Sequence, residues 1–582
     1  MDPTGWTISD FANAYESGTS VADVIDAVLA LMRAAPIGVL IGEPLDDLAR
    51  RDAHRIASLD ASTLPLYGVP FVVKDNIDVA GAPTTAGCPG FAYEPVVDAT
   101  VVELLRAAGA IVVGKANLDQ FATGLVGTRS PYGVPPNVID PSLVPGGSSS
   151  GSAVAVALGL VPFSLGTDTA GSGRVPAALN GIVGFKPTLG SASTSGIVPA
   201  VRRLDCPSVF ARTVDDAAVV ARLIRRPDLA DPFMRPVMHR VPFRSSPIVG
   251  VPSSWPAELE ITDDMVSWFA VAVDRLRSLG CEIHPVDITP LLDVGRMLYG
   301  SAMVAERSAV VGDAVDKGVA GLDPVVASII SSGNDITAID AYRAEYELTR
   351  RRALAVGLWT EIDVLALPTT VSVASLADVA AQPVGRNEMM GRLTTFVNLL
   401  DLMGIVVPLP GVARLPAGLQ LIGLAGHDDE VARLALGFES GVLAANAQPC
   451  SLVVVGAHLT GLPLNHQLTE RRATFVRRAR TSADYRLFAL PGTVPPKPGL
   501  VRVASGAGAE IAVEVWAMGH AEFGSFVDAV PAPLCIGSVT LDDGSVHHGF
   551  LCESFAIAEA TDITEFGGWK AYIASPATPG SL

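Results

Sequence analysis

The chain has 582 residues and a net charge of −19, and 49% of its residues are apolar while 17% are charged. This length exceeds one ordinary hydrophobic core and predicts a large enzyme of two or more domains. The acidic charge argues against nucleic acid as a partner, the apolar runs are too short to span a membrane, and the six cysteines form no CxxC pair of the kind that binds zinc.

The N-terminus, Met1-Asp2-Pro3-Thr4, has no basic segment ahead of an apolar one. No secretory signal is therefore predicted, and a cytoplasmic location is expected.

Helical and extended patterns alternate along the first three quarters of the chain. Helices are predicted at 7–33 and 101–108, and short strands at 66–73, 111–113, 363–367 and 419–422. Strands that alternate with helices favour an α/β fold.

The pattern changes near residues 440–455, where a helical segment ends and a strand-like run begins. We therefore predict two domains, 1–445 and 446–582. In the second domain, residues 511–516 alternate as a strand does. Five arginines lie between Arg471 and Arg480, and they favour a helix with a solvated charged face over a helix that binds anions.

The segment 144–177 carries two candidate nucleophiles. Residues 147–151, GSSSG, match the G-x-S-x-G elbow of α/β-hydrolases with Ser149 at its centre. That elbow needs a preceding strand, which the prolines of residues 137–145 disfavour. Ser172 lies in residues 166–174, GTDTAGSGR, where flanking glycines would let consecutive N–H groups hold an oxyanion, although such a stretch can also be an ordinary tight turn.

Two lysines are candidates for the general base. Histidine is scarce, because only His54 of the nine precedes residue 239 and no later histidine lies in a recognisable motif. Lys74 in VPFVVKDNID and Lys115 in AIVVGKANLD each follow an apolar strand, where a side chain can enter a site beside a glycine-rich loop. The residues themselves do not choose between these two lysines.

Several separated motifs, in order along roughly residues 7–440, strongly resemble the amidase signature family. They are GVPFVVKDNIDVAG (68–81), GGSSSGS (146–152), LGTDTAGSGRVPAALNGIVGFKPT (165–188) and LPAGLQLIG (415–423). The resemblance implies an α/β fold with a central mixed, mostly parallel twisted sheet flanked by helices. It also implies a hydrolase that needs no metal or other cofactor.

The same resemblance implies a Ser-cisSer-Lys catalytic triad. Matched motif by motif, Ser172 is the nucleophile, Ser148 the relay serine and Lys74 the base, which leaves Lys115 and Ser149 as supporting residues. The predicted oxyanion hole consists of backbone N–H groups of four consecutive residues, Thr169, Ala170, Gly171 and Ser172. This chain has alanine at 170 where the family commonly has glycine, a change expected to alter only the local shape of the loop. Asp168 and Arg174 are expected to brace that loop.

The C-terminal segments AHLTGLPLNHQLTERRA, YRLFALPGTVPPKPGLVRV and DITEFGGWKAY resemble the allophanate hydrolase subfamily. Its members carry a small C-terminal α+β domain similar in fold to γ-glutamyl cyclotransferases. Tyr299 and Arg307 are spaced by about two helical turns, and the resemblance implies that they bind the carboxylate of the small substrate allophanate. Without the resemblance, Arg307 would be expected to be solvent-exposed.

The subfamily resemblance implies release of ammonia and N-carboxycarbamate, which breaks down to a second ammonia and carbon dioxide. It also implies a functional link to a urea carboxylase, and a homodimer. His466, in PLNHQL, is the candidate for a site that assists decarboxylation, while a purely structural C-terminal domain is the alternative. Two other functions stay open, which are hydrolysis of another small carboxylated amide and the role of an amidotransferase A-like subunit.

Overall fold

The computed structural model describes residues 2–235, 243, 246–300, 302–409, 415–443, 450–471 and 473–575. The chain divides into two compact units, Met1–Ala444 and Ala445–Leu582. Within the described ranges, no helix combines the length and the hydropathy needed to cross a membrane.

The first unit is built on ten strands. They are β1 (Pro70–Lys74), β2 (Ile111–Ala116), β3 (Phe163–Asp168), β4 (Val183–Lys186), β5 (Cys206–Ala211), β6 (Ile248–Pro252), β7 (Glu282–Val286), β8 (Val364–Pro368), β9 (Leu402–Pro408) and β10 (Gly418–Leu424). They form one sheet in the order β2-β1-β3-β5-β4-β9-β10-β8-β6-β7.

Helices flank this sheet. They are α1 (Ile8–Glu16), α2 (Val21–Arg33), α3 (Asp46–Ala57), α4 (Thr100–Ala107), α5 (Ser150–Ala157), α6 (Val175–Leu179), α7 (Val214–Ile224), α8 (Asp263–Ser278), α9 (Thr289–Gly295), α10 (Met297–Gly300), α11 (Ala305–Asp316), α12 (Pro324–Ser331), α13 (Ala338–Val356), α14 (Leu376–Ala381), α15 (Gly385–Gly391), α16 (Thr395–Leu399) and α17 (Asp428–Ser440).

The sheet confirms the predicted mixed α/β architecture, but parallel pairs do not predominate. Strand β1 pairs in parallel with β2 and β3, and β6 pairs in parallel with β7 and β8. The other pairings between the described strands are antiparallel. Strands β4 and β5, like β9 and β10, follow one another in the chain and pair directly, which favours the antiparallel arrangement because no helical crossover separates them.

The single helix predicted at 7–33 is two helices, which corrects that expectation. Gly18 has a φ of +92°, a left-handed conformation that suits glycine and ends α1. The Ser20 side chain then accepts a hydrogen bond from the Asp23 N–H and caps α2.

Helix α5 positions the candidate nucleophiles. Residues 150–156 are all buried, as expected for a helix that is apolar or small on every side. A Cβ at Gly151 would lie 2.2 Å from the Val39 carbonyl oxygen, so only glycine allows this close approach. The helix leads from Ser148 into β3, and the end of β3 leads into the loop of Ser172.

The second unit has an α+β composition. Its elements are β11 (Cys450–Val454), α18 (His466–Thr469), β12 (Thr474–Arg480), β13 (Tyr485–Ala489), β14 (Pro498–Arg502), β15 (Ala512–Met518), α19 (His520–Asp528), β16 (Leu534–Thr540), β17 (Val546–Cys552), β18 (Thr561–Asp562) and α20 (Trp569–Ile573). Two sheets form, in the orders β12-β15-β11-β17-β16 and β14-β13-β18.

The helix predicted for the arginine-rich segment is wrong, because residues 474–480 are the edge strand β12. Pairing with β15 and the β-forming residues Thr474, Phe475 and Val476 outweigh the charge pattern. Arg477 and Arg480 form ion pairs with acidic residues of neighbouring segments, and charged side chains are a common feature of edge strands.

Candidate active site

Lys74 lies at the end of β1 and is completely buried. Its Nζ is 2.8 Å from Ser148 Oγ and 2.7 Å from Thr167 Oγ1. Burial lowers the pKa of Lys74 from 10.5 to about 7, although the carboxylates of Asp119, Asp205 and Asp168 act in the opposite direction. A neutral amine, able to take a proton from Ser148, is therefore accessible near neutral pH.

Ser148 follows a cis peptide bond with Gly147. The Asp119 N–H donates to the Ser148 carbonyl oxygen over 3.0 Å. The Asp119 carboxylate accepts from the N–H groups of Gly127 and Arg129, each over 2.9 Å. A Cβ at Gly147 would lie 2.0 Å from this carboxylate, so glycine is required beside Ser148.

Asp119 has no distinctive signal in the sequence, because an acidic residue in a polar stretch after a strand is common. Asp119 is fully buried, and this burial raises the pKa of its carboxyl group. The buried Asp119 carboxyl group thus fixes the conformation of the loop that carries Ser148.

The loop that carries Ser172 is braced by Asp168 and Arg174, which confirms their predicted role. The Asp168 carboxylate accepts from the N–H groups of Gly171 and Gly173 and pairs with the Arg174 guanidinium, each over 2.9 Å. Both side chains are fully buried. Burial opposes ionisation of Asp168, but the charge and hydrogen bonds of Arg174 hold its pKa below the usual value.

The predicted oxyanion hole is available only in part. Gly171 donates its N–H to Asp168, so it is not a free donor. Among the described residues, the N–H groups of Thr169, Ala170 and Ser172 have no hydrogen-bond partner. Gly171 has a φ of +130°, and a Cβ there would lie 2.3 Å from Thr394 Oγ1, so the loop conformation requires glycine.

Strand pairing places Ser172 at the same edge of the sheet as Lys74. Strand β3 runs parallel to β1, with Leu165 opposite Val73. The carboxyl ends of adjacent parallel strands meet at one edge, where ligands bind in α/β proteins. The chain therefore passes from Thr167, which contacts Lys74, directly into the loop of Ser172, which is itself buried.

Lys115 and Ser149 have structural contacts. Lys115 Nζ lies 2.8 Å from the Ile77 carbonyl oxygen and 3.2 Å from Asp75 Oδ1. Ser149 Oγ donates to the Thr167 carbonyl oxygen over 3.2 Å. No strand forms in residues 137–148, all of which are described, so the elbow hypothesis for Ser149 lacks its strand.

Arg307 lies in α11 and is buried, with 2% exposure, so the alternative of a solvent-exposed arginine is wrong. Its Nη1 donates to Thr123 Oγ1 over 2.8 Å. Its positive charge also lowers the pKa of the Asp205 carboxyl group, against the effect of burial. Tyr299 lies in α10 and Arg307 in α11, so the two residues do not share the single helix that their spacing of about two turns predicted. The Tyr299 side chain lies outside what the structure describes.

Asp205 is a second buried carboxyl group that sequence analysis missed. It accepts hydrogen bonds from the Thr169 hydroxyl and the Ala200 N–H. Burial raises its pKa from 3.8 to about 6. Its only signal in the sequence is an acidic residue directly before an apolar strand.

In the second unit, His466 is an exposed residue at the start of α18. Its Nδ1 lies 2.8 Å from the Pro463 carbonyl oxygen. Because a carbonyl oxygen only accepts, this contact assigns the proton to Nδ1 and leaves Nε2 free to react in the neutral ring.

The amidase family model matches residues 37–432, a range that includes Lys74, Ser148 and Ser172. The chain belongs to the amidase family. A second model, that of the allophanate hydrolase C-terminal domain, matches residues 450–574. The two matches together cover both compact units of this amidase.

Three known proteins are similar to this amidase over most of its length. Urea amidolyase of Saccharomyces cerevisiae is 41% identical over 610 residues, covering 98% of this chain but 33% of that protein, so the chain spans a third of that relative's length. A solved allophanate hydrolase of Kluyveromyces lactis is 39% identical with a TM-score of 0.73, covering 98% of this chain and 99% of the other. A glutamyl-tRNA(Gln) amidotransferase subunit of Roseiflexus sp. (strain RS-1) is 34% identical over 469 residues, covering 74% of this chain and 94% of the relative.

Proposed function

We propose that this amidase hydrolyses allophanate, with Lys74, Ser148 and Ser172 as its catalytic triad. The observation that carries the proposal is the end-to-end likeness to the K. lactis allophanate hydrolase, which spans both units. The buried contact between Lys74 and Ser148 supports the triad. The Roseiflexus relative supports the amidotransferase alternative less well, because its likeness covers 74% of this chain.

The proposed reaction begins with neutral Lys74. Lys74 takes a proton from Ser148, and Ser148 takes one from Ser172 as the Ser172 oxygen attacks the terminal amide carbonyl of the substrate. The free N–H groups of Thr169, Ala170 and Ser172 would stabilise the oxyanion, and such a donor is typically worth about 3 kcal/mol. The relayed proton then goes to the leaving nitrogen, which departs as ammonia. Water hydrolyses the acyl-enzyme and releases N-carboxycarbamate.

The proposed partner of the substrate carboxylate is Arg307. A planar guanidinium binds a carboxylate through two parallel hydrogen bonds. Because Arg307 is buried, its charge is poorly screened by water and favours a small anionic substrate. Tyr299 is proposed to complete this part of the pocket.

Ammonia release is expected to be fastest with allophanate when it is compared with malonamate, glutamine and simple neutral amides. The variant Arg307→Gln should lower kcat/KM for allophanate by about 10- to 100-fold, because it removes hydrogen bonds to a charged group. The same variant should change kcat/KM for a neutral amide far less. Steady-state ammonia assays on both proteins measure this ratio.

Turnover of another carboxylated amide without turnover of allophanate would refute the substrate and leave the triad standing. Turnover of glutamine alone would favour the amidotransferase alternative. An equal effect of Arg307→Gln on neutral and carboxylated amides would refute carboxylate binding by Arg307.

We propose that the second unit assists decarboxylation of N-carboxycarbamate, with His466 at its site. In this step a C–N bond breaks, carbon dioxide leaves, and the electron pair stays on nitrogen, which must gain a proton. The exposed His466 ring, held through Nδ1 by Pro463, supports a role for Nε2 in moving that proton. The remaining carbamate breaks down to ammonia and carbon dioxide.

His466→Ala is expected to leave release of the first ammonia unchanged and to delay carbon dioxide and the second ammonia. Time courses of both products, followed together with N-carboxycarbamate by ¹³C NMR, measure the delay. The partly exposed His284 of the first unit offers a matched control, and His284→Ala should leave the relative timing of the two products unchanged. Unchanged product timing in His466→Ala would instead support a purely structural unit.

We also propose a functional link to a urea carboxylase activity, which would supply allophanate. The likeness to the S. cerevisiae urea amidolyase supports this link, because the name of that relative places allophanate hydrolysis beside an activity on urea. The homodimer and the cytoplasmic location stay predictions.

A further inference from the structure

Asp205 joins two loops of the active site. It lies directly before β5 and is buried, with 4% exposure. One carboxylate oxygen accepts from the Thr169 hydroxyl, and the other accepts from the Ala200 N–H over 2.8 Å. The Val201 N–H reaches both oxygens at 3.2 Å. The carboxylate thus ties the loop of Ser172 to the turn at residues 200–205.

Thr169 is the first residue after β3 and one of the three residues with a free oxyanion-hole N–H. Its side chain has one described partner, which is Asp205. The Thr169 side chain is therefore held by a contact that lies outside the family motif around Ser172.

Asp205 also lies between charged groups of two regions. On the catalytic side, its negative charge raises the pKa of Lys74, and the charge of Arg307 lowers the pKa of Asp205. On the other side, it borders a cavity of about 310 Å³ whose charged lining residues are Arg202, Arg203, Arg235, Glu345, Arg352 and Asp401.

We propose that Asp205 is a positioning residue for amide hydrolysis, which aligns the Thr169 N–H with the oxyanion by holding the Thr169 hydroxyl. The inference deepens the proposed function and rests on it for the identity of the substrate, but the role of Asp205 applies to any amide that Ser172 attacks. Asp205 touches no reacting atom and acts through Thr169.

Asp205→Asn tests this role. The asparagine oxygen can still accept from the Ala200 N–H, but its amide nitrogen cannot accept from the Thr169 hydroxyl. Because small misplacements of catalytic groups are costly, kcat should fall by about 10- to 100-fold, while KM should change by less than about 3-fold. This separation of kcat from KM is not expected from a general loss of packing.

The pH profile supplies a second readout. Burial raises the pKa of Asp205 to about 6 and lowers the pKa of Lys74 to about 7. The fully active form has both groups deprotonated, because a proton on Asp205 removes an acceptor as asparagine does. Log kcat/KM of the wild type should therefore level off above pH 7, fall with slope one between pH 7 and 6, and fall with a slope approaching two between pH 6 and 5. In Asp205→Asn, the slope should stay at one below pH 6.

Asp216→Asn is a matched control. Asp216 is also a buried carboxyl group whose pKa burial raises to about 6, but it accepts from the Ile8 N–H on α1, outside the site. Its variant should keep the wild-type kcat and the slope of two. A fall of kcat in Asp216→Asn as large as in Asp205→Asn would overturn the proposal, because buried charge in general would then explain both.

Thr169 variants complete the test. Thr169→Val removes the hydroxyl and should lower kcat as Asp205→Asn does, and the double variant should be no worse than either single one. Thr169→Ser keeps the hydroxyl and should restore most of the kcat that Thr169→Val loses. Multiplicative losses in the double variant, or an unchanged kcat and slope in folded Asp205→Asn, would overturn the proposal. These ratios are measured with whichever amide the wild type turns over, so failure of allophanate as substrate does not decide them.

Discussion

Ser172→Ala is expected to abolish amide hydrolysis, with a loss in kcat on the order of 10⁴-fold or more. The alanine has no oxygen to attack the carbonyl, and water held by the remaining oxyanion-hole donors is a poor substitute. The fold should survive, because Asp168 and Arg174 brace this loop without the Ser172 hydroxyl. Ammonia release at saturating substrate and thermal unfolding of both proteins measure the two effects.

Ser149→Ala is the matched control for the nucleophile. Ser149 is the serine that the elbow motif selects, but its hydroxyl donates to the Thr167 carbonyl oxygen. Its variant should retain turnover within about tenfold, the range of one lost hydrogen bond. Retained turnover in Ser172→Ala together with loss in Ser149→Ala would reverse the assignment.

Lys74→Arg is expected to lower kcat by about 10³- to 10⁴-fold, the scale of a lost general base. Arginine keeps a positive charge and hydrogen-bond donors near Ser148, but it does not deprotonate in proteins. In the wild type, kcat/KM should rise about tenfold per pH unit from pH 6 to 7 and then level, because Lys74 with a pKa of about 7 must lose its proton to act. The variant should lack this rise.

Lys115→Arg provides the contrast for Lys74. Lys115 is also buried and pairs with Asp75, and an arginine there keeps the charge that this pair needs. The variant should change the unfolding temperature more than kcat. Substantial activity in Lys74→Arg with an unchanged pH profile would refute a neutral lysine as the base.

The choice between these two lysines shows what strand pairing adds to sequence patterns. Both follow apolar strands, so the local sequence describes them equally well. In the sheet, Lys115 lies opposite Val73 and Lys74 lies opposite Ala116. Because side chains alternate along a strand, this one-residue offset sends the two lysines to opposite faces. Only Lys74 then faces Ser148 and Thr167.

The arginine-rich segment shows where a local charge pattern fails to predict secondary structure. Its charges alone suggested a helix, yet pairing with β15 makes residues 474–480 a strand. Strand formation depends on a partner that is distant in the chain, so it is poorly encoded by a local charge pattern.

The sequence by itself determined the α/β class and, through the family motifs, selected the three proposed triad residues. These features depend on local periodicity or on contiguous motifs. Only the tertiary structure decided that antiparallel pairs outnumber parallel ones in the described sheet, that Gly171 is already bonded to Asp168, and that Asp119 and Asp205 belong to the site. A carboxyl group acquires such a role when folding buries it against backbone N–H groups that belong to no common sequence motif with it. The local sequence therefore does not predict which carboxyl groups these are.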